Sequence, residues 1–257
     1  MPSFVPKKRF FVIAAILAVF FYLYSAAYEV PILMYHHVDD AKNSSISVSP
    51  ETFERQMEFL KIHHYRVMGL EELIEKLKAG KRIPMNTVVI TFDDGYLDNF
   101  TNAFPVLKKM NFSATIFMIS DNVGREGGWM SEEDLRILDD GGLTIGSHTV
   151  HHTFLPDVKI PEEMAYELTE SKKKLENILG HPVTLFSYPA GGVNSTAERL
   201  VHQAGYEGAV TTNYGPDHYQ LYALHRVKVT ESGGGLFGFW AKVSGLYNLG
   251  KKRIPIE

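Results

Sequence analysis

Short apolar runs alternate with amphipathic stretches along most of the chain after residue 28. The runs at residues 87–92 (TVVITF) and 113–119 (SATIFMI) are uncharged and rich in β-branched residues, which is typical of strands that are buried on both faces. Between such runs, apolar residues recur at helical spacing, as in residues 70–77 and 160–179. This alternation of strand and helix predicts repeated βα units around a parallel sheet.

Capping signals and further apolar runs complete the predicted series. Ser49-Pro50 marks the start of one helix, and Ser131 followed by Asp134 has the form of a capping box at another. The remaining predicted strands lie at residues 31–35, 143–146, 184–188, 208–212 and 224–229. Six or seven βα units in a chain of this length favour a closed or nearly closed α/β barrel over a flat sheet. In such barrels the chemistry gathers where the strands end.

An uncharged stretch at residues 10–28 directly follows a basic cluster, KKR. A helix of about 20 apolar residues crosses a bilayer, so this stretch predicts a transmembrane anchor or a signal peptide. The basic side predicts a cytoplasmic tail at residues 1–9 and an exported remainder, that is, a single-pass protein of the cell membrane with an extracytoplasmic domain. The small residues SAA at 25–27 could form a cleavage site, which would give a secreted protein. The length of the apolar run favours the uncleaved anchor.

Composition narrows the chemistry. Apolar residues make up 45% of the chain and charged residues 22%, as in an ordinary globular core. The net charge of −4 and the scattered lysines and arginines leave no basic field for a phosphate backbone, so nucleic acid is not an expected partner. The absence of cysteine excludes disulfides, thiolate nucleophiles and zinc–thiolate sites, so a metal must be held by His, Asp or Glu. Nothing in the sequence decides the oligomeric state.

Polar residues stand where predicted strands end. Asp93 and Asp94 follow the TVVITF run, and two adjacent carboxylates in a partly buried site need a shared cation or proton, although Asp-Asp-Gly alone also fits a plain turn. His148 and His152 follow another strand and are four residues apart, so a helical turn or tight loop puts both rings on one side. Two imidazoles and a carboxylate make a three-ligand metal site with an open position. We expect His151 to point elsewhere.

A third segment, FSYPAGG at residues 186–192, ends a further strand and on its own fits an ordinary strand-to-helix loop. Together with TFDDG at 91–95 and HTVHH at 148–152, in this order, it resembles the polysaccharide deacetylases with a NodB homology domain, carbohydrate esterase family 4. The resemblance covers roughly residues 31–229. It implies a NodB-like domain at residues 29–230, folded as a distorted (β/α) barrel of about seven parallel strands, that removes N-acetyl groups from a glucosamine-containing polysaccharide.

The resemblance also implies a role for each matching residue. Asp93 matches the family's general base. The residues that match its ligands to one divalent metal, most often Zn²⁺ with Co²⁺ or Ni²⁺ as alternatives, are Asp94, His148 and His152. The backbone N–H of Ala190, the residue after the loop proline, matches the donor to the oxyanion. Tyr188 and Pro189 match substrate contacts.

Two departures from the family pattern concern the base and the acid. Many members have an arginine that braces the catalytic aspartate where Ser187 stands, paired with a later Asp-Trp motif that this chain lacks. The general acid that protonates the leaving amine is in many members a histidine of a late Leu-x-x-His motif. The late candidate here is His225, which lies before rather than after the apolar residues of its strand.

The stretch ILMYHHV at residues 32–38 offers a different acid. It resembles the N-terminal strand motif of the poly-N-acetylglucosamine deacetylases of biofilm systems, a branch with circularly permuted motifs in which the acid histidine comes first and the arginine position is often not arginine. His36 matches that histidine and is the expected general acid, with His225 as the alternative. Alternation along a strand directs only one of two adjacent side chains into a site, so His37 is expected to pack or to face solvent.

The main hypothesis is therefore a metal-dependent deacetylase of the cell surface, with poly-N-acetylglucosamine as the favoured polymer and peptidoglycan or chitin-like oligomers as further candidates. Two alternatives are an acetyl-ester-cleaving relative of the acetyl xylan esterase type and a non-catalytic carbohydrate-binding surface protein. The tail, residues 231–257, has one apolar helix face, which either docks on the domain or lies on a membrane surface.

Overall fold

The structure, a computed structural model, describes residues 7–40, 45–212, 220–248, 250 and 251, and for residues 7–9, 26 and 27 it describes the backbone alone. Most of the predicted cytoplasmic tail and the last six residues of the C-terminal tail thus lie outside the described residues. In chain order the helices and strands are α1 (Lys7–Ala27), β1 (Ile32–Tyr35), β2 (His37–Val38), β3 (Ser47–Val48), α2 (Pro50–Ile62), β4 (Arg66–Val67), α3 (Leu70–Lys78), β5 (Thr87–Phe92), α4 (Phe104–Met110), β6 (Thr115–Met118), α5 (Glu132–Asp140), β7 (Thr144–Ser147), α6 (Pro161–Leu179), β8 (Leu185–Ser187), α7 (Ser195–Gln203), β9 (Gly208–Thr211), β10 (Leu224–His225), β11 (Val227–Lys228) and α8 (Gly235–Val243).

Parallel pairing joins the strands into a nearly closed barrel. β5 lies between β1 and β6, and the order continues through β7, β8 and β9. One segment of chain completes the ring, because β10 pairs with β9 while β11, which follows almost at once, pairs with β1. With that segment counted once, seven strand positions surround the barrel, which confirms the predicted α/β barrel of parallel strands. β4 pairs with the start of β5, and β2 and β3 form a separate short pair.

The segment that closes the barrel, residues 224–228, is called the closing segment below. The sequence predicted one continuous strand over residues 224–229, and this prediction is wrong. The segment uses one edge to pair Leu224 with Val210 and the opposite edge to pair Val227 with Leu33, and the residue between the two halves is Arg226. Because the chain changes partner within five residues, the run is divided into two strands of two residues each.

Alternation along the strands divides the buried side chains into two layers. The residues of β5 that pack outward under the helices are Val88, Ile90 and Phe92. The inner layer fills the barrel together with residues of α3, and its members from the strands include Ile32, Val89, Phe117, Leu185 and Val210. Beyond Val89, the same face of β5 continues through Thr91 to Asp93. A carboxylate therefore stands at the end of the inward-facing row, where the strands end.

Local signals begin the helices that the sequence predicted. The side chain of Ser49 caps α2 by accepting a hydrogen bond from the N–H of Thr52 at 3.2 Å. Ser131 and Asp134 form the predicted capping box of α5, in which each side chain accepts from the backbone of the other residue. These caps set the direction of the helices that pack on the outside of the barrel.

The C-terminal tail docks on the barrel through α8, one of the two alternatives that its apolar face allowed. Phe239 and Val243 are buried, and the ring of Phe239 packs edge-on against that of Phe59 with 5.9 Å between centroids. Phe237 and Trp240 lie on the outer side of the helix and are exposed. The helix therefore covers α2 with one face and leaves two aromatic rings uncovered.

α1 precedes the barrel and meets it near its carboxyl end. There the hydroxyl of Tyr24 donates a hydrogen bond to the carbonyl of Ser244 at 3.0 Å. Along the rest of the helix large apolar side chains are exposed, among them Phe10, Ile16 and Phe20. Among the residues that the structure describes, no helix combines the length and the apolarity of a membrane span.

Candidate active site

The ends of the strands bring the sequence motifs into one cleft of about 610 Å³. β5 delivers Asp93 and Asp94, β7 delivers His148 and His152, and β8 leads to Ala190. Among the other residues that line the cleft are His36, His225, Arg226, Lys228, Lys242 and Tyr247. The structure therefore gathers both aspartates, both metal-ligand candidates from the histidine motif, the oxyanion candidate and both acid candidates around the same space.

Asp94, His148 and His152 form a cluster that fits a divalent cation. Oδ1 of Asp94 lies 3.5 Å from Nε2 of His148 and 3.5 Å from Nε2 of His152. Ligands held at 2.0–2.1 Å from a tetrahedral zinc ion are about 3.3 Å apart, so these separations suit such a site. Oδ1 of Asp94 is buried and accepts no hydrogen bond from any described residue. An orphaned carboxylate oxygen between two imidazole nitrogens is the donor set that such a cation needs.

His148 is held in the form that binds metals. Its Nδ1 lies 2.8 Å from the carbonyl oxygen of Ser187, a contact that makes Nδ1 the protonated nitrogen and leaves Nε2 facing Asp94. Burial lowers the pKa of His148 despite the attraction of the nearby aspartates. The ring is therefore neutral at physiological pH, as a metal ligand must be.

The backbone around the cleft is strained. In the described part of the chain, seven residues other than glycine have a positive φ, and four of them belong to the site: Asp94 (φ 75°), Thr149 (φ 66°), His152 (φ 61°) and Ala190 (φ 52°). A left-handed conformation costs a residue with a Cβ roughly 1–2 kcal/mol, so the surrounding contacts must hold these four residues in place. Strain of this kind is concentrated at functional sites.

Glu167 of α6 holds the histidine loop. Its buried carboxylate accepts hydrogen bonds from the backbone N–H groups of Val150 and His151 at 2.9 and 3.0 Å, and it lies 2.7 Å from Nδ1 of His151. His151 therefore turns towards Glu167 and away from Asp94. This arrangement fixes the loop between the two metal-ligand candidates, with His152 at its end.

Asp93 is braced by an arginine that the sequence analysis did not find. Nη1 and Nη2 of Arg226 donate to Oδ1 and Oδ2 of Asp93, both at 2.6 Å, and both side chains are buried. Burial alone would raise the pKa of the Asp93 carboxyl, but the guanidinium of Arg226 reverses this and, with weaker help from His148 and His36, holds the pKa well below its usual range. Asp93 is therefore ionised throughout the physiological range.

The guanidinium of Arg226 lies beside Ser187, whose side chain is short enough to leave space for it. The Ser187 hydroxyl accepts from Nη2 of Arg226 at 2.9 Å and lies 3.3 Å from Oδ1 of Asp93, so it joins the pair instead of replacing it. The brace thus comes from the closing segment and not from the position where many members of the resembled family carry it. The signal in the sequence was a charged residue inside the apolar run of residues 224–229.

The turn after β8 places Ala190 at the cleft and buries the side chains of Tyr188 and Pro189 in the core. The N–H groups of Gly191 and Gly192 close the turn on the carbonyls of Tyr188 and Pro189, so these bonds leave the N–H of Ala190 uninvolved. The side chains of Tyr188 and Pro189 are buried and do not line the cleft, so their role as substrate contacts stays a prediction that the structure does not support. Since Ser187 faces the barrel interior, alternation turns the next residue outward into the core beneath the helices.

Both acid candidates reach the cleft. Nδ1 of His36 is buried and has no hydrogen-bond partner among the described residues, and the backbone carbonyl of His36 accepts from the side chain of Asn99 at 2.7 Å. Burial lowers the pKa of His36, while Asp93 and Asp94 oppose this effect. His225 lines the same cleft from β10. The position of His36 beside both aspartates agrees with a group that exchanges protons near them.

His37 lies apart from the metal-ligand candidates. Its Nδ1 lies 2.6 Å from Oδ2 of Asp98, and its ring stacks on Tyr96, which in turn stacks on Trp129 with 4.7 Å between centroids. Burial, with the negative charge of the nearby Asp94 carboxylate, raises the pKa of Tyr96. His37 therefore packs against Tyr96 and pairs with Asp98, and it does not join the three metal-ligand candidates.

Comparison with known proteins agrees with these motifs. The family model described as polysaccharide deacetylase matches residues 80–209, which is half of the chain. YxkH of Bacillus subtilis, whose name places it among the polysaccharide deacetylases, is 36% identical over 213 residues, which are 82% of this chain and 75% of that protein. Among the relatives is also the poly-beta-1,6-N-acetyl-D-glucosamine N-deacetylase of Staphylococcus aureus, 30% identical over 65% of this chain and 64% of its own length.

A solved structure is similar over nearly its whole length. The deacetylase PplD of Streptococcus pyogenes, determined in complex with acetate, superposes with a TM-score of 0.77 at 25% sequence identity. The match covers 84% of this chain and 98% of that one. The barrel fold is therefore shared with a deacetylase.

Proposed function

We propose a specific reaction for this chain, which belongs to the polysaccharide deacetylase family: the hydrolysis of N-acetyl groups on the N-acetylglucosamine units of a polysaccharide. The observation that carries the proposal is one cleft in which a braced carboxylate, Asp93, stands beside the three-residue cluster of Asp94, His148 and His152. Removing an acetyl group from an amide needs both an activated water and a base, and the two halves of the site supply them.

The cluster is proposed to hold one divalent metal, with Zn²⁺ preferred over Co²⁺ and Ni²⁺ because two neutral imidazoles and one carboxylate with an open position are typical of catalytic zinc. When bound, the cation supplies a Lewis acid for the acetamide carbonyl and lowers the pKa of a water molecule. The contact of His148 Nδ1 with the Ser187 carbonyl keeps Nε2 of His148 directed at the cluster.

Asp93 is proposed to take a proton from the attacking water. The water oxygen then bonds to the carbonyl carbon, and the negative charge moves to the carbonyl oxygen. Arg226 keeps the carboxylate of Asp93 ionised and fixes its plane through both oxygens, which positions the base but also weakens it. Arg226 thereby lowers the basicity of Asp93 and fixes the orientation of its carboxylate.

The N–H of Ala190 is proposed to donate to the oxyanion. Only the backbone is needed for this, and the left-handed conformation of Ala190 at the mouth of the cleft turns its peptide away from the hydrogen bonds that close the turn. The burial of Tyr188 therefore leaves this role intact.

His36 is proposed to protonate the nitrogen as the C–N bond breaks, so that acetate and a free amine leave. Its pKa is lowered, so the resting ring is neutral and must receive a proton before it donates one. His36 takes this proton from solvent, and Asp93 returns to solvent the proton that it took from water. The second proton of the water is released when the acetic acid ionises to acetate. His225 is the alternative donor in the same cleft.

Comparing an amide with an ester identifies the acid. An ester leaving group needs less protonation than an amine, so His36→Ala should lower kcat/KM by about 10²-fold or more on an N-acetylglucosamine oligomer and far less on an acetyl ester. His225→Ala is the matched variant in the same cleft and should lower both rates to a similar, smaller extent. The opposite pattern would transfer the role to His225.

Poly-N-acetylglucosamine is proposed as the first polymer to test. The staphylococcal relative is named for its action on that polymer, although this chain spans only 64% of its length. Peptidoglycan fragments and chitin-like oligomers are the other members of the panel. We expect the full chain to release acetate from an N-acetylglucosamine polymer, we expect chelation to abolish release, and we expect Asp93→Asn to lower it by about 10³-fold. Undiminished release under either condition would refute the mechanism.

A location at the cell surface is the last part of the proposal. Although no described helix has the length and apolarity of a membrane span, the exposed apolar side chains of α1 favour attachment to a membrane through residues 10–28, with the catalytic domain outside. Fractionation of cells that express the full chain, followed by N-terminal sequencing, tests it. Uncleaved chain in the membrane fraction supports the anchor, chain that begins after residue 25 in the medium supports secretion, and chain confined to the cytosol contradicts both.

A further inference from the structure

Two lysines from separate elements line the cleft near the candidate acid. Lys228 comes from β11 and Lys242 from α8, and Nζ of Lys242 donates to the backbone carbonyl of Lys228 at 2.6 Å. The Lys242 ammonium also lies 5.0 Å from the ring centroid of Tyr247, a further lining residue. Within the described part of the chain neither lysine forms an ion pair with a carboxylate. The C-terminal tail thus supplies part of the wall of the cleft.

The cleft is positively charged although the protein is acidic. Three cations line it, Arg226, Lys228 and Lys242, against the two carboxylates of Asp93 and Asp94. Arg226 and Asp93 neutralise each other, so the two lysines outweigh the one remaining carboxylate. The chain as a whole carries a net charge of −4, so this balance is a local property of the cleft.

Lys228 lies close enough to the proposed position of the product amine to interact with it electrostatically. It contributes, after the effects of burial and of the nearer charged groups, to lowering the pKa of His36, so it lies within electrostatic range of that ring. In the proposed reaction His36 protonates the leaving nitrogen. Each turnover leaves a free amine on the polymer, and that amine carries a positive charge once it is protonated, which is most complete at mildly acidic pH. The reaction therefore places a cation on a substrate whose binding cleft is itself cationic.

We propose that Lys228 and Lys242 make the deacetylation self-limiting: the cleft accepts N-acetylglucosamine units with uncharged or anionic neighbours and rejects units that lie next to a glucosamine already formed. This inference rests on the proposed function and adds a substrate preference to it. A polymer treated to completion then carries spaced single glucosamines rather than blocks. Repulsion between like charges a few ångströms apart in a partly exposed cleft should lower kcat/KM by roughly five- to tenfold.

Matched oligomers test the proposal. Three N-acetylglucosamine pentamers of one length are compared with the full chain: one fully acetylated, one with a single glucosamine beside the scissile unit, and one with a carboxylate at the same place. At low ionic strength the glucosamine pentamer should have a kcat/KM about five- to tenfold below that of the neutral one, and the carboxylate pentamer should be at least as good as the neutral one. High salt should narrow the gap, because exposed charges are screened.

Variants assign the effect to the lysines. Lys228→Gln and the double variant Lys228→Gln/Lys242→Gln should bring the glucosamine pentamer to within about twofold of the neutral one. Lys228 is exposed, so the single variant folds even where the double variant disturbs the tail. Lys61→Gln, on the exposed side of α2, is the matched control and should leave the gap unchanged.

The outcomes separate this inference from the reaction itself. Equal rates on the neutral and glucosamine pentamers, or a gap that survives in Lys228→Gln and in the double variant, overturn the preference while the deacetylase stands. Binding of the three pentamers to Asp93→Asn protein by calorimetry gives a readout without turnover. If the carboxylate pentamer binds best and the glucosamine pentamer worst, but the unsubstituted chain releases no acetate from any of them, the proposed reaction is refuted and the preference is retained. Equal binding of all three pentamers would overturn the preference.

Discussion

Two parts of the barrel build the site in different ways. The loops after β5 and β7 carry Asp94, His148 and His152, each next to the strand that positions it, and their spacing is visible in the sequence. The closing segment carries Arg226, which acts on Asp93 across 133 residues of chain and belongs to a run that reads as a plain strand. The loops provide the proposed reactive groups, and the closing segment keeps Asp93, the proposed base, ionised. A site can thus have recognisable motifs while the pKa of one of its residues is set by an element that has no motif.

The first prediction removes the group that the two parts share. Asp93→Asn should lower kcat/KM on an N-acetylglucosamine oligomer by about 10³-fold, because the base is lost. It also leaves the guanidinium of Arg226 buried without a counter-charge, so the free energy of unfolding should fall by about 3–5 kcal/mol. Acetate release and denaturant unfolding measure the two effects. Asp140→Asn, at the exposed end of α5, is the control and should change neither.

The second prediction tests the closing segment alone. Arg226→Met should lower kcat/KM by about 10²-fold and cost about 3–5 kcal/mol of stability, since the Asp93 carboxylate is left buried and unpaired. The pKa of Asp93 should rise, so the acid limb of the pH–rate profile should move to higher pH by roughly one to three units. Arg226→Lys keeps the charge but not the paired hydrogen bonds, and should give an intermediate profile.

A double variant sharpens the second prediction. Asp93→Asn/Arg226→Met removes both charges, so it should be more stable than either single variant although it is inactive. If the stability losses of the two single variants simply add, the pair is not a coupled unit, and the contrast between the loops and the closing segment loses its basis.

The third prediction addresses the histidine loop. Glu167→Gln loses the charge that holds the N–H groups of Val150 and His151, so His152 should be less well positioned and the affinity for Zn²⁺ should fall by about tenfold. The acid limb of the pH–rate profile should stay where it is, in contrast to Arg226→Met. Competition with a chelator gives the affinity, and Glu163→Gln on the exposed side of α6 is the control. A shifted acid limb would mean that the two parts are not separable.

The smallest expected effect lies just beyond the closing segment. Glu231 accepts from the N–H of Ser49 at 2.8 Å and from the Thr52 hydroxyl at 2.7 Å, at the start of α2. Burial raises the pKa of Glu231, but these hydrogen bonds outweigh it and leave the pKa lowered. A carboxyl whose folded pKa is depressed stabilises the fold above its unfolded pKa of about 4.3, and this contribution is lost as pH falls through the folded value.

Glu231→Gln should therefore lower the free energy of unfolding by about 0.5–1 kcal/mol at neutral pH, and the difference should disappear near about pH 3. Denaturant unfolding at both pH values measures it. Kinetic constants on the neutral oligomer should not change. A stability difference that persists in acid would show that the contact acts through packing and not through the charge.

The sequence predicted most of the fold because its signals are local. Strand and helix periods, the cap at Ser49 and the capping box at Ser131 each depend on residues within a few positions of one another, and the structure confirms them. The candidate metal cluster was visible for the same reason: His148 and His152 lie four residues apart, and Asp94 ends a strand. We could place these residues without knowing the barrel's closure.

The sequence could not place side chains whose direction depends on distant strand pairing. Arg226 was missed because its partner, Asp93, is brought to it only when the closing segment joins β9 to β1. Tyr188 was placed in the substrate site because its motif ends a strand, although alternation from the inward-facing Ser187 turns it into the core. In both cases the residue type was noticed or noticeable, and the missing information was which side of the strand faces the barrel interior.

The closing segment also fixes the order in which the site can become competent. Synthesis proceeds from the amino terminus, so every residue of the aspartate and histidine motifs emerges before Arg226. A growing chain that has passed residue 152 already contains Asp94, His148 and His152. Asp93, however, has no guanidinium beside it until the closing segment pairs with β9 and β1. Because contacts between such distant residues form slowly, we expect the proposed activity only in a chain that has been synthesised, and if exported, delivered, beyond residue 228.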